Sequence, residues 1–398
     1  MLPLEGIRVI EFCEVASGPF CGMLLADLGA EVIKIEKPGT GDTLRQWPPI
    51  NDGFSENFAS LNRNKKSVTL DLKNADETML ARQLALSADV VIENYRPGVM
   101  ARMGLDYPTL SKAKPSLVYC SISAFGQTGP KSGEGGFDLT IQAAAGVMSV
   151  TGAPGEAPVK CGVPIADFAA GAYGAFAVSA ALRKVAQAGV GEHIDVSMLG
   201  ATLGFAALQT SEYFGTGKDP RKFGSAHPRN APYQAFRAKD DYFVMAAGND
   251  RLWSTVCRVI ERSDLEKDPR FVTTSSRTEN QVELCASLEA IFSARPAADW
   301  INVFTAAGVP CGPINTYSQI LRDPQVAHMG WVQTMVLPSG NETKTFACPI
   351  RLSGKNIEIR SPPPQLGQHR DEVVSLLRTS AAKDQIDSVM EGTVWPPA

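Results

Sequence analysis

Histidine is scarce in this sequence of 398 residues, and the four present build no metal centre, because His193, His227, His328 and His369 share no ligand spacing. The eight cysteines (Cys13, Cys21, Cys120, Cys161, Cys257, Cys285, Cys311 and Cys348) include no CxxC pair and lie mostly in apolar segments. That pattern suits buried thiols in a reducing compartment better than a zinc site or a disulfide framework. There is no GxSxG elbow, no Walker A motif and no GxGxxG after the first strand, where the chain reads CEVASGPFCG. A hydrolase triad, a P-loop and an NAD or FAD site are therefore unsupported. Basic charge is not in excess either. With a formal charge of −4 there is no electrostatic reason to expect nucleic acid or an anionic membrane, so a phosphate-bearing ligand has to be held by local Lys and Arg. The opening MLPLEGIRVIEF has neither a basic n-region nor an apolar h-region, and a cytoplasmic location is expected.

What the sequence does have is an alternation of strand and helix signals over its first 125 or so residues. Ile7–Phe12, Glu31–Glu36, Ser67–Leu72, Asp89–Tyr95 and Ser116–Ser123 read as buried strands. Between them lie a helix after Ser17, a plausible N-cap, stopped by Gly29, and another around Glu77–Ser87. Short β-branched runs separated by helices indicate βαβ units and a Rossmann-like parallel sheet, whose ligands bind outside the carboxyl ends of the strands. A second helical stretch covers Met198–Tyr213. Composition then turns to Gly, Pro and charge around Gly215–Asn230, marking a domain change. The organisation expected is a large α/β domain over 1–215, a smaller α+β domain with its linker over 216–325, and a segment over 326–398 that returns to the large domain. In the last part, Met335–Ile350 reads as a hairpin turned by Ser339–Asn341.

One stretch stands apart. GVPIADFAAGAYGAFAVSAAL, Gly162–Leu182, carries a single charge, Asp167, at the head of a run of small and apolar residues. Its composition favours a packed helix over a membrane span. With the helix starting at about Phe168, Asp167 sits at the N-cap, where free backbone N–H groups keep it ionised while apolar neighbours exclude water. Such a carboxylate is a competent nucleophile toward an activated acyl group, and it is equally a plain helix cap. Arg63, Lys65, Lys66, Lys37 and Arg102 fall near strand and helix ends, where together they could hold a phosphorylated ligand; singly, each reads as solvated surface.

Taken in order, eight motifs make the chain resemble the class III (family III) CoA-transferases over essentially its full length. They are GIRVIEF…ASGPFCGMLLADLGAEVIKIEKPGTGD, LNRNKKSVTLDLK, ADVVIENYRPGVMARMGLDY, CSISAFGQTGP, GFDLTIQAAAGVMSVTG, GVPIADFAAGAYGAFAVSAAL, GEHIDVSML and PPPQLGQH. Two further stretches, FGSAHPRNAPYQAFRAKDDYFVMAAGNDRLW and GVPCGPINTYSQILRDPQVAHMG, look like the branch that uses dicarboxylic acids, such as the succinyl-CoA:glutarate and succinyl-CoA:citramalate transferases.

The resemblance implies that Asp167 is the catalytic aspartate, passing through mixed anhydrides and an aspartyl-CoA thioester. CoA is then a substrate and no cofactor is permanently bound. By the same resemblance Val15, Lys37, Asn94, Tyr95, Arg102 and Met103 contact CoA, while Ala16, Phe137 and Asp138 border the acyl site. Some formate- and oxalate-using members have glutamine where Ala16 stands, which makes those small acids less expected here. Their polyglycine loop is replaced by SAHPRNAP, which puts His227 or Arg229 forward for the acceptor's distal carboxylate, with surface loop as the plainer reading. Backbone N–H groups near Asp167 and in Gly224–Asn230 are candidate oxyanion donors. The family's architecture implies a homodimer of two interlocked chains. Two other readings stay open: an α-methylacyl-CoA racemase, which has a histidine where Phe137 stands, and a non-catalytic acyl-CoA-binding protein.

Overall fold

In the computed structural model, which describes residues 1–377, the chain divides into two compact units. The first takes Met1–Val147, Lys160–Gly217 and the segment from Pro324 onward; the second takes Met148–Val159 and Lys218–Asp323. The sequence reading kept 148–159 within its first segment. The fold gives that stretch to the second unit, where Gly224 N–H donates to the Gly152 carbonyl and Lys222 Nζ to those of Glu156 and Ala157. Residues 378–398, the end of the expected returning segment, lie outside the described residues.

The first unit is built on six parallel strands: β1 (Arg8–Phe12), β2 (Glu31–Glu36), β3 (Lys65–Thr69), β4 (Val90–Glu93), β5 (Val118–Ser123) and β6 (Glu192–Ser197). Their spatial order is β3-β2-β1-β4-β5-β6. Order reverses between β1 and β4, and open α/β sheets take ligands in the crevice outside the strand carboxyl ends at such a reversal. Side chains alternate along the strands. Val9, Val32, Val90 and Ile92 join one core with α1 (Ser17–Asp27), whereas Ile10, Ile33, Val91 and Tyr119 join the other with α2 (Ala75–Ser87). Cover on both faces is why these strands read as continuous apolar runs. The third strand starts two residues earlier than its β-branched run suggests, because Lys65 is buried and ion-paired inside the sheet.

After β5 come α3 (Asp138–Ala144) and the long α4 (Ile165–Ala188), then β6, α5 (Met198–Phe205) and α6 (Ala207–Thr216). Helix α4 lies close on α1: a Cβ at Gly171 would come within 2.6 Å of the Ser17 carbonyl oxygen, and one at Gly174 within 3.1 Å of Cys21 Sγ. Among the described residues α4 is the one helix long and apolar enough to cross a membrane by length and composition. Its small-residue face (Ala166, Ala169, Ala170, Gly171, Gly174, Val178) is nevertheless buried against α1 and the sheet.

The second unit has a three-stranded antiparallel sheet of β7 (Tyr233–Arg237), β8 (Tyr242–Ala246) and β9 (Cys311–Pro313), covered by helices packed through Trp253, Phe292, Trp300 and Phe304. The hairpin expected within Met335–Ile350 belongs to the first unit. It pairs Val332–Val336 with Glu342–Phe346 and starts three residues before the sequence reading.

Candidate active site

Asp167 is the third residue of α4, not its N-cap. The helix starts at Ile165, three residues ahead of the expected start, and Pro164 at the N-cap position supplies no side-chain acceptor. That role is filled from α3: Asp138 Oδ1 accepts the Ala166 N–H at 2.9 Å. With the cap taken, the Asp167 carboxylate makes no hydrogen bond among the described residues, and the expectation that helix donors hold it ionised is corrected. Burial, and secondarily the like charge of Asp138, push its carboxyl up to about 7. Of the first-turn donors, Ile165 N–H goes to the Val163 carbonyl and Ala166 N–H to Asp138, which leaves the Asp167 N–H unpartnered among the described residues.

Behind Asp138 stands a residue the sequence reading missed. Gln142, fully buried, donates from Nε2 to Asp138 Oδ2 at 2.7 Å and accepts the Cys161 N–H at 2.8 Å. It thus ties α3 to the segment leading into α4. Only its spacing, one helical turn after Asp138, could have signalled it. Phe137 is the N-cap residue of α3 and is largely exposed. On the other side, Phe168 packs on Phe20 of α1, ring centroids 4.7 Å apart.

Val15 and Ala16 form the turn between β1 and α1, and the Ser17 carbonyl at the start of α1 touches α4 one turn beyond Asp167. Asn94, just past β4, braces this turn: Oδ1 accepts the Glu14 N–H at 3.0 Å and Nδ2 donates to the Glu14 carbonyl at 2.8 Å. Tyr95 follows, with its hydroxyl pushed up by burial. Lys37 lies just past β2, while Arg102 and Met103 end the short helix after β4. Lys37 and Arg102 are exposed and have no ion-pair partner among the described residues. All of these positions follow strand carboxyl ends, as does the first turn of α4, which leads back into β6.

The other basic residues do not join this set. Arg63 is buried on Asp27 at 2.6 Å, Lys65 is buried on Glu11 at 2.9 Å, and Lys66 is shared by Glu31 and Glu372. Their charges are satisfied internally, so the proposed cationic set shrinks to Lys37 and Arg102. His227 and Arg229 belong to the second unit, in the loop before β7, as does all of Gly224–Asn230. There the His227 ring packs on Tyr233 and its Nδ1 accepts the Arg229 N–H at 3.1 Å. Among the described residues no cluster of His, Cys, Asp and Glu has the makings of a metal site.

Comparison with known proteins identifies the family. The model of CoA-transferase family III matches residues 4–370. The chain is 37% identical over 375 residues to the succinyl-CoA:glutarate CoA-transferase of Mus musculus, covering 94% of this chain and 86% of that protein. It is 39% identical over 353 residues to the acetyl-CoA:oxalate CoA-transferase of Acetobacter aceti, covering 88% and 90%. A solved structure, a CAIB/BAIF family protein from Brucella suis, superposes with a TM-score of 0.84 at 37% identity, over 94% of this chain and 99% of that one. The chain belongs to CoA-transferase family III, and it is an enzyme of that class with a CoA thioester as its substrate.

Proposed function

We propose that this enzyme moves CoA from succinyl-CoA to a free dicarboxylic acid, with Asp167 as the nucleophile. The observation that carries the reading is a half-buried carboxylate with no hydrogen-bond partner among the described residues, beside the β1–α1 turn and past the strand carboxyl ends. A desolvated carboxylate of raised basicity is a better nucleophile than a hydrated one. A carboxylate oxygen of Asp167 attacks the thioester carbonyl, the C–S bond breaks, and CoA leaves as thiolate from a mixed anhydride. The thiolate attacks the Asp167 carbonyl, releasing the donor as its carboxylate and leaving an aspartyl-CoA thioester. The acceptor carboxylate then displaces the thiolate to form a second anhydride. Finally the thiolate takes the acceptor's acyl group and Asp167 is regenerated. Both anhydrides are labile to water, which gives the apolar surround its purpose. Lys37 and Arg102 are the cations we assign to the CoA phosphates, with Asn94, Tyr95 and Met103 around the nucleotide.

The acceptor is named by class. The mouse relative takes glutarate and the Acetobacter relative oxalate, both dicarboxylic acids, so oxalate belongs in the test panel despite Ala16. His227 and Arg229 are the groups proposed for the distal carboxylate. A racemase lacks support because Phe137 offers no titratable group. We further read the large unit as Rossmann-like and the working enzyme as a cytoplasmic homodimer of interlocked chains. Support for the dimer comes from the outer faces of α4, α5 and α6, where Phe176, Phe205, Leu208 and Phe214 stand exposed, the last at 81%.

The test is an exchange assay read by mass spectrometry, with succinyl-CoA and a panel of mono- and dicarboxylic acids. New acyl-CoA from a dicarboxylate, lost in Asp167→Ala, is the expected outcome. Equal transfer by that variant, or α-proton exchange on a branched acyl-CoA without transfer, overturns the reading.

A further inference from the structure

Val15 is the one β-branched residue among the described positive-φ positions outside glycine, at φ 65°. A branched side chain in the left-handed region is strained and persists only where its surroundings fix it. Here they fix every segment of the turn. Lys34 Nζ donates to the Cys13 carbonyl at 2.6 Å, Asn94 holds both backbone groups of Glu14, and Asp42 Oδ1 accepts the Val15 N–H at 3.1 Å. Asp42 is itself immobilised. Its Oδ1 also takes the Leu44 N–H at 2.9 Å, its own N–H donates to Glu36 Oε2, and its Oδ2 pairs with Lys34 at 2.9 Å. Lys34 in turn is fully buried and pairs with Glu11 at 3.0 Å. Burial opposes its charge, but the surrounding carboxylates, Asp42 foremost, win and hold its ammonium firmly protonated.

We propose that Asp42 is a positioning residue for CoA transfer. Anchored by Lys34, it holds Val15 in its left-handed conformation and so sets the first turn of α1 against the first turn of α4, where Asp167 lies. The route is short: Val15 leads into Ser17, whose carbonyl abuts Gly171, and Phe20 packs on Phe168 next to Asp167. The idea rests on the reading of Asp167 as nucleophile.

The full-length protein is assayed for covalent capture of the acyl-CoA on Asp167 in single turnover, alongside its melting temperature. Asp42→Ala removes the acceptor, and the capture rate at saturating acyl-CoA falls on the order of 10- to 100-fold, the scale set by a small misplacement of reacting groups. Asp42→Asn keeps the acceptor oxygen and stays within about 3-fold of the parent, although its melting temperature drops with the lost ion pair. Val15→Pro, which locks φ near −65° and has no N–H, reproduces the loss with the Lys34 pair intact, and covers the case in which Asp42→Ala does not fold. Parent-like capture by Val15→Pro or Asp42→Ala overturns the proposal. Absence of capture in the parent itself would instead overturn the Asp167 reading.

Discussion

Asp138 caps the helix that carries Asp167: its Oδ1 accepts the N–H of Ala166, one residue before the candidate nucleophile, at 2.9 Å. The same carboxylate is the charge that adds to burial in raising Asp167 to about 7. A nucleophile must be ionised, so its rate falls as pH drops through about 7, roughly tenfold per unit below it. Single-turnover capture over a pH series should show that limb. In Asp138→Asn the like charge is gone and burial remains, so the limb moves to lower pH by less than half of the elevation, burial being the larger cause. A limb left in place in that variant would contradict the assignment.

Stability carries the opposite signature. The folded carboxyl sits at about 7 against an ordinary 3.8, so the folded chain binds the extra proton between those values. This group's contribution is full below about 3.8 and lost as pH rises to about 7. Above that, an ionised and poorly hydrated Asp167 burdens the fold. Asp167→Asn should therefore melt higher than the parent at about pH 8, by about 1–2 kcal/mol or a few degrees, with the gain shrinking toward about pH 5. Thermal melts at the two pH values check both sign and trend.

Gly171 sets how closely α4 approaches α1. Even a methyl group there would stand 2.6 Å from the Ser17 carbonyl oxygen and 3.0 Å from Phe20. Gly171→Ala is expected to cost about 1–3 kcal/mol, although alanine is the better helix former. Because the shift falls one turn from Asp167, turnover should fall more than the melting curve alone explains. Denaturant titration and kcat, measured together, separate the two.

Much of this was legible in the sequence because its causes are local. Apolar runs marked the strands, and Gly29, at φ 112°, marked the end of α1. The Ala- and Gly-rich run announced a close-packed helix with a carboxylate near its start. What misled was non-local. The start of α4 was misplaced because its cap comes from Asp138, 28 residues before Ala166. Lys65 looked like a surface cation because its counter-charge, Glu11, stands 54 residues away on another strand. Gln142 offers no signal beyond its one-turn spacing from Asp138, and the hold of Asp42 on the Val15 N–H, 27 residues away, is delivered only by folding.

The most direct test is to trap the covalent intermediate. The protein is incubated with succinyl-CoA without acceptor, quenched with hydroxylamine and digested, and the peptide carrying Asp167 is sequenced by mass spectrometry. A hydroxamate on Asp167, absent without acyl-CoA, is the predicted result. Modification at another carboxylate, or none on an enzyme that still transfers CoA, would contradict Asp167 as the nucleophile.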